Sequence, residues 1–238
     1  MGPAGAVRTR RDELAANLRR VRERIAAACA AADRDPAEIT LVAVTKTFPA
    51  SDVRLLAELG VTDVGENRDQ EAAGKAAECG DLPLTWHFVG QLQTNKARSV
   101  ARYADVVHSV DRARLVTALS SAATRAGRSL RCLVQVSLDD RPGRGGAAPD
   151  EAPALADAIA ASEGLELAGV MAVAPLGADP APAFARLADV AERLRAAHPS
   201  ATVISAGMSG DLEQAIACGA THVRIGTALL GGRGAIVR

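Results

Sequence analysis

A lysine directly after a short apolar run is the first residue of this sequence that could do chemistry. Only three of its 28 lysine and arginine residues are lysines, Lys46, Lys75 and Lys96. Arginine stays protonated in proteins, whereas a lysine can act as a neutral amine and form a Schiff base with a carbonyl compound. Lys46 follows the apolar run 42–44, whose walls would favour the nucleophilic form of the amine. The other two lie in helical stretches, where we expect solvated side chains.

Two glycine-containing turns supply candidate anion-binding groups near the end of the chain. They are residues 206–211 (AGMSGD) and residues 224–227 (RIGT), and each precedes a helical stretch. Glycine lets the backbone approach an oxyanion, and the first N–H groups of a helix can donate to it, beside the hydroxyls of Ser209 and Thr227. The same hydroxyls could instead be ordinary helix N-caps, an interpretation that Asp211 favours for one helix. Two such turns side by side favour a phosphate site.

Other polar residues near the same ends of apolar runs are weaker indications. Glu66, Asn67 and His87 could contribute a carboxylate, an amide and an imidazole. The alternation of aromatic and polar residues around His87 leaves open which side of a strand it faces. An amine together with a phosphate site fits two classes of protein. One is a Schiff-base aldolase acting on a phosphorylated sugar, and the other holds pyridoxal 5′-phosphate (PLP), which is an aldehyde that carries a phosphate.

These residues are positioned by an alternation of short apolar runs with helical stretches. An amphipathic helix is predicted over residues 10–33, where apolar residues recur at helical spacing. Strands are predicted at residues 39–44, 61–64, 84–89, 105–110, 130–136, 165–173, 202–205 and 222–225. Eight such units predict an α/β fold, a single (β/α)8 TIM-type barrel with an extra N-terminal helix. An open doubly wound sheet is the alternative.

The predicted barrel fixes where chemistry would occur. No break in composition marks a second domain, so we expect one domain over residues 1–238, with the barrel at about 39–233. The carboxyl ends of the strands form the active face of such a barrel, and Lys46 and both glycine turns follow strand ends. The Gly- and Pro-rich segment 139–149 is either an ordinary surface loop or a lid over that face.

Composition excludes several other classes of function. The sequence is 48% hydrophobic and 24% charged with a formal net charge of +0, which argues against disorder and gives no reason to expect nucleic-acid binding. The four cysteines form no CxxC pair, so we predict neither a disulfide framework nor a metal site, and we expect a cytoplasmic protein. No apolar run approaches the ~18 residues of a membrane span.

Ordered motifs along nearly the whole chain after the first helix resemble the pyridoxal phosphate homeostasis protein family, which is related to the barrel domain of bacterial alanine racemase. The motifs are AVTKTFP (43–49), VGENRDQE (64–71), WHFVGQLQTNK (86–96), LVQVSLD (133–139), GVMAVAP (169–175) and the segment 204–233. The resemblance implies a PLP-binding barrel in which Lys46 forms the Schiff base. The other implied cofactor contacts are Asn67 near the ring, Arg224 near the pyridine nitrogen, and Met208 (backbone), Ser209, Gly226 and Thr227 at the phosphate.

The resemblance also implies little or no catalysis, and the residues offer a reason. A racemase needs a second acid/base opposite the lysine, which in alanine racemase is a tyrosine. The only tyrosine here, Tyr103, lies in a predicted helix away from the strand ends. An arginine beside the pyridine nitrogen would disfavour its protonation and weaken the ring as an electron sink. Arg144 stands where many members of the family have a lysine, which puts any second aldehyde-binding amine there in doubt.

Four functional hypotheses follow. The leading one is a protein that binds PLP as a Schiff base and acts in intracellular PLP homeostasis or carriage, with no catalytic residue. A PLP-dependent, racemase-like enzyme on amino acids is the second. A phosphosugar aldolase is the third, and it would need Glu66 or His87 as its acid/base. The fourth is an interaction module that delivers PLP to apo-enzymes. We expect a monomer, because no large apolar helix face is left exposed.

Overall fold

The computed structural model describes residues 9–139 and 145–232, and it contains a closed barrel of eight parallel strands. Arg144 lies outside the described residues, as does most of the segment before it that we considered as a lid. The strands are β1 Thr40–Val44, β2 Asp63–Glu66, β3 Thr85–Phe88, β4 Val106–Val110, β5 Leu130–Gln135, β6 Leu165–Met171, β7 Val203–Ser205 and β8 His222–Ile225. The predicted fold class is confirmed, and the open sheet is excluded because β1 pairs with β8.

Helices follow the strands around the outside of the barrel. They are α1 Arg10–Ala31, α2 Ala50–Glu58, α3 Asp69–Glu78, α4 Ala97–Tyr103, α5 Ala113–Ala126, α6 Ala152–Ala160, α7 Pro180–Ala197, α8 Leu212–Ala217 and α9 Thr227–Leu230. Alternate residues of each strand pack against this layer; Trp86 and Val64, for example, join one cluster beneath α2 and α3. In the part of the chain described, no helix is long and apolar enough to cross a membrane.

Helix α1 precedes the barrel and packs against its last elements. Thr9 caps it, since its side chain accepts from the Asp12 N–H while the Asp12 carboxylate accepts from the Thr9 N–H. Leu14, Leu18 and Val21 bury the apolar face of α1 in one cluster with residues of α8 and α9. The helix ends at Ala31, two residues before the predicted end, and the chain then turns. The extra helix therefore contacts the elements that follow both glycine turns.

The barrel interior is partly polar, which is unusual for a layer that is normally filled by branched aliphatic side chains. Val106, Leu133, Ala168, Met171 and Val203 form an apolar cluster inside the barrel. Beside them lie four polar side chains from different strands that are 5% exposed or less: His87, His108, Ser205 and Arg224. His87 therefore faces the interior, which settles the orientation that the sequence leaves open.

Candidate functional site

The residue predicted to be the nucleophile lies in a tight turn at the carboxyl end of β1. Residues 45–48, here called the lysine turn, are closed by a hydrogen bond from the Phe48 N–H to the Thr45 carbonyl oxygen at 3.0 Å. Thr47 has a φ of 69°, a left-handed conformation that is uncommon for a β-branched residue. Lys46 is exposed, so the expectation that apolar walls surround its side chain is wrong. Its amine forms no hydrogen bond or ion pair with the described residues.

A buried cluster of charged and polar groups holds the lysine turn from outside the sheet. The Lys75 amine on α3 donates to the Thr45 carbonyl oxygen at 2.7 Å, directly before Lys46, and to Glu66 Oε1 at 2.6 Å. The Thr45 hydroxyl donates to the same carboxylate oxygen at 2.6 Å. The Lys75 side chain is only 10% exposed. The prediction that it is solvated is wrong, because one face of α3 turns toward the strands and a carboxylate meets the amine there.

A second contact from α3 reaches the same turn. The Thr47 N–H donates to Glu71 Oε2 at 3.1 Å, so α3 holds the backbone on both sides of Lys46. Lys96, by contrast, is about half exposed and lies 3.9 Å from Asp69, as expected of a solvated surface lysine. The three lysines thus divide into an exposed one without a partner among the described residues, a buried one in a polar cluster, and a solvated surface one.

Asn67 lies at the next strand end, where the loops after β2 and β3 touch. It is partly exposed and lines an open pocket together with Gln91. Its side-chain amide makes no hydrogen bond with the described residues. Gly90 allows the close approach of the two loops, since a Cβ there would lie 2.2 Å from the Asn67 carbonyl oxygen. The loops therefore present a free amide beside the barrel mouth.

The two glycine turns contact each other. The Ala228 N–H donates to Ser209 Oγ at 3.2 Å, joining the turn after β7 to the start of α9. The second turn also lies against the end of β1, because a Cβ at Gly226 would be 3.4 Å from the Val44 carbonyl oxygen. Neither hydroxyl is an N-cap: Asp211 occupies that position for α8 and Gly226 for α9. Ser209 and Thr227 therefore do not cap the helices that follow them in the chain, although the Ser209 hydroxyl accepts from the second residue of α9.

Backbone donors are available in the first glycine turn. The N–H groups of Ser209 and Gly210 have no acceptor among the described residues, whereas the Met208 N–H donates to Asp211 Oδ1 at 2.6 Å. Thr227 is exposed beside them at the first helical position of α9. Free N–H groups next to two hydroxyls suit an anion such as a phosphate.

Side chains of α1 donate to carbonyl oxygens of the first glycine turn and of α9, the helix that follows the second turn. Arg24 donates to the Ser209 carbonyl oxygen at 3.0 Å and pairs with Glu213 at 2.7 Å. The buried Asn17 donates to the Leu229 carbonyl oxygen at 2.9 Å, and Arg10 donates to the Leu230 carbonyl oxygen at 3.0 Å. None of these three residues is predicted from the sequence. Polar positions within the apolar stripe of α1 are the available signal, and Asn17 is one of them.

Arg224 is a buried cation between the two sides of the mouth. Its guanidinium donates to Ser205 Oγ at 2.6 Å and to the Ala172 carbonyl oxygen at 2.9 Å. No ion pair with a carboxylate is formed within the described ranges. Burial is the main cause that lowers the pKa of Arg224 to about 10, and the more distant Asp211 partly opposes it. An uncompensated cation at this place disfavours a second positive charge nearby.

Tyr103 lies in the helical layer, outside the strand ends. Its hydroxyl donates to Asp69 Oδ1 at 3.4 Å, and its ring packs against residues of the outer layer. Burial, followed by the nearby Asp69 carboxylate, raises the pKa of the phenol. The only tyrosine of the sequence is thus engaged away from Lys46.

Comparisons with known proteins agree with this geometry. The family model for the alanine racemase N-terminal domain matches residues 10–234. Pyridoxal phosphate homeostasis proteins of Mycobacterium tuberculosis and Escherichia coli are 48% and 39% identical, and the alignments cover 94% and 93% of this chain and 94% and 97% of those proteins.

Solved structures of related proteins also resemble this chain in fold. PipY from Synechococcus elongatus, solved with PLP bound, is 36% identical and has a TM-score of 0.80, covering 92% of this chain and all of that one. Alanine racemase from Corynebacterium glutamicum is 14% identical with a TM-score of 0.70, over 96% of this chain and 62% of that one, and shows a similar fold alone. The chain belongs to the pyridoxal phosphate homeostasis protein family, whose members share the barrel of the alanine racemase N-terminal domain.

Proposed function

We propose that this protein binds PLP at the carboxyl end of its barrel, with Lys46 as the Schiff-base residue, and acts in PLP homeostasis or carriage in the cytoplasm. The observation that carries the proposal is the junction of three sites at one mouth. Lys46, with its free amine, lies in the turn that follows β1. The second glycine turn lies against the end of β1, and the first glycine turn contacts the second. The PLP bound by PipY supports the choice of ligand.

The residues present fit PLP group by group. The N–H groups of Ser209 and Gly210 and the hydroxyls of Ser209 and Thr227 would hold the phosphate, with Gly226 giving it room. Because Asp211 engages the Met208 N–H, this donor takes part only if the carboxylate gives way. The free amide of Asn67 would contact the ring.

Arg224 would meet the pyridine nitrogen and keep it unprotonated. Bound PLP supplies an aldehyde that amines attack and, when its ring nitrogen is protonated, an electron sink. A buried guanidinium that lacks a carboxylate partner opposes that protonation. Tyr103 is held by Asp69, so it is not placed to act as a second acid/base. These features support a carrier over a racemase-like enzyme, and no observation favours a phosphosugar aldolase.

We further propose a single domain over residues 1–238 that acts as a monomer and hands PLP to apo-enzymes. The closed barrel supports the first part, since all its strands pair within one chain. Light scattering of the purified protein at several concentrations measures the mass directly, and a dimer would contradict the monomer.

The test of the proposed function is the visible absorbance of the purified protein with and without added PLP. We expect a yellow band that borohydride bleaches, that Lys46→Ala abolishes and that Lys96→Ala retains. Lys96 is the matched control because it is also an exposed lysine near the mouth. Absence of the band at excess PLP would overturn the proposal, and a band that persists in Lys46→Ala would reject Lys46 as its residue.

A further inference from the structure

A continuous line of hydrogen bonds crosses the barrel interior and ends at Arg224. His87 Nε2 lies 2.9 Å from Asp63 Oδ1, and His87 Nδ1 lies 2.8 Å from His108 Nε2. His108 Nδ1 lies 2.9 Å from Ser205 Oγ, which accepts from the Arg224 guanidinium at 2.6 Å. The five residues come from β2, β3, β4, β7 and β8, so no single element accounts for the line.

The two ends of the line lie on opposite faces of the barrel. Asp63 is the first residue of β2 and lines an open pocket beside Thr40 and Thr62, at the amino ends of the strands. Its side chain is 23% exposed. The Arg224 guanidinium contacts Ser205 and Ala172, which lie at the carboxyl ends of β7 and β6. The line of hydrogen bonds therefore runs from solvent at the amino ends of the strands to the carboxyl ends, where the cofactor would bind.

If both imidazoles are neutral, the chemistry of the ends fixes the direction of every bond between them. A guanidinium can only donate and a carboxylate can only accept. Because Ser205 Oγ accepts from Arg224, its own proton is free to go to His108 Nδ1. His108 then donates from Nε2 to His87 Nδ1, and His87 donates from Nε2 to Asp63. In this arrangement each neutral imidazole carries its proton on Nε2.

The surroundings favour this neutral state. Burial, then the neighbouring His87, Arg224, His222 and Arg131, lowers the pKa of His108 well below its ordinary value. The groups that face the two imidazoles are Asp63 from β2, His222 and Arg224 from β8, and Arg131 from β5. His222 is a ring neighbour of His87, with centroids 6.2 Å apart. Burial together with the Arg224 and Arg131 cations opposes a further proton on His108.

We propose that Ser205, His108, His87 and Asp63 are positioning residues for the cofactor, forming a directed relay that fixes the Arg224 guanidinium and links it to the protonation of the two histidines. This inference rests on the proposed function, since it requires Arg224 to meet the PLP ring. A proton gained by His87 would reverse the line: His87 would donate from Nδ1 to His108, and His108 from Nδ1 to Ser205. Ser205 Oγ would then accept from both sides, and its O–H would turn away from His108.

Nitrogen NMR of the histidine rings in the PLP-free protein tests the relay itself. At neutral pH we expect protonated Nε2 and unprotonated Nδ1 in both His87 and His108. The His108 Nδ1 signal should shift in Ser205→Ala, which removes its donor. A ring protonated on both nitrogens, or a proton on Nδ1 of either ring, would overturn the proposed direction.

The spectrum of the PLP-loaded protein tests the link to the cofactor. In Ser205→Ala we expect PLP affinity to fall by about tenfold, because a hydrogen bond to a charged group is lost. The pH midpoint of the visible band should also move, by roughly one unit. Ser109→Ala is the matched control, since Ser109 is equally buried on β4 and its hydroxyl has no partner among the described residues; its spectrum should equal that of the wild type.

The outcomes separate this inference from the proposed function. If the wild type shows the visible band, and Ser205→Ala has the same pH midpoint and the same PLP affinity, the relay is overturned and PLP binding stands. This holds even if the variant unfolds more easily. No band in the wild type would overturn the proposed function and the cofactor end of the relay together. The ring tautomers would then still decide whether the relay exists.

Discussion

The two sides of the barrel mouth are held by charges in different environments. On the lysine side, the Lys75 and Glu66 side chains are 10% and 1% exposed and hold the backbone before Lys46. On the phosphate side, the Arg24 and Glu213 side chains are 36% and 44% exposed and hold the Ser209 carbonyl. Burial decides what each pair contributes: removing one partner of a buried pair leaves an uncompensated charge, whereas water compensates an exposed one.

This difference separates the stability of the two sides. The lysine turn contains Thr47 in a left-handed conformation and depends on contacts from α3 that form only in the folded barrel. The glycine turns depend on backbone hydrogen bonds as well as on the exposed pair, so they can adjust without unfolding. We therefore expect the backbone that carries the Lys46 amine to be held in a fixed position and the anion site to adapt to its ligand.

Among the tests of this comparison, we expect the largest effect for Lys75→Met. Glu66 would keep a buried carboxylate with one oxygen, Oε2, already lacking a partner in the described structure. We expect the free energy of unfolding to fall by about 3–5 kcal/mol in denaturant titration. Lys96→Met, at an exposed lysine, should change it by less than about 0.5 kcal/mol.

A second substitution makes that test specific to charge. Adding Glu66→Gln to Lys75→Met removes the stranded carboxylate and keeps an acceptor for the Thr45 hydroxyl. The double variant should be more stable than Lys75→Met alone. If it is less stable, the two side chains do not form a coupled pair and the comparison fails.

The comparison extends to the barrel interior, where the free energy of unfolding should depend on acid pH. Burial is the first cause, and the neighbouring His87 the next, that lowers the pKa of His222 from 6.5 to about 4. The unfolded chain therefore takes up this proton first, so stability is complete above pH 6.5 and falls as the pH drops toward 4. At pH 4 we expect the protonation of His222 to have lowered the free energy of unfolding of the wild type by up to about 3 kcal/mol. His222→Gln should not show this part of the loss. Denaturant titration from pH 4 to 8 measures both proteins. An unchanged pH profile would show that burial of this ring is unimportant.

The smallest effect is expected on the phosphate side. Arg24→Ala removes the exposed pair with Glu213 and the contact to Ser209, and should cost less than about 1 kcal/mol of unfolding free energy. Most of that cost should disappear in 1 M salt, because exposed charges are screened. A loss as large as that of Lys75→Met would refute the distinction between the two sides.

The sequence predicts the strands well and the charge clusters poorly. Each of the eight predicted runs overlaps the strand found there, because a buried parallel strand is apolar along its length and bounded by polar residues. Seven runs contain their strand whole, whereas β2 extends to Glu66, two residues beyond the predicted run 61–64. Lys46 and both glycine turns are found at strand ends for the same reason. Local patterns of this kind need no knowledge of distant contacts.

The missed residues depend on contacts between distant segments. Lys75 lies in AAGKAAE, where small residues on every side hide which face of α3 is buried. Its partner Glu66 and the Thr45 carbonyl become neighbours only when β1 and β2 pair. The roles of Arg10 and Arg24 likewise require α1 to lie across α8 and α9, and no periodicity within α1 specifies that placement.

The closed ring of strands has a consequence for exchange with other proteins. A sheet with a free edge can recruit a partner by adding a strand, but in a ring each strand is already paired on both sides. Any protein that received PLP from this barrel would therefore have to contact its helices or loops, and not an added strand. Leu176 and Met208, after β6 and β7, are the large apolar side chains left exposed in the described structure, and both lie in segments that follow strand ends.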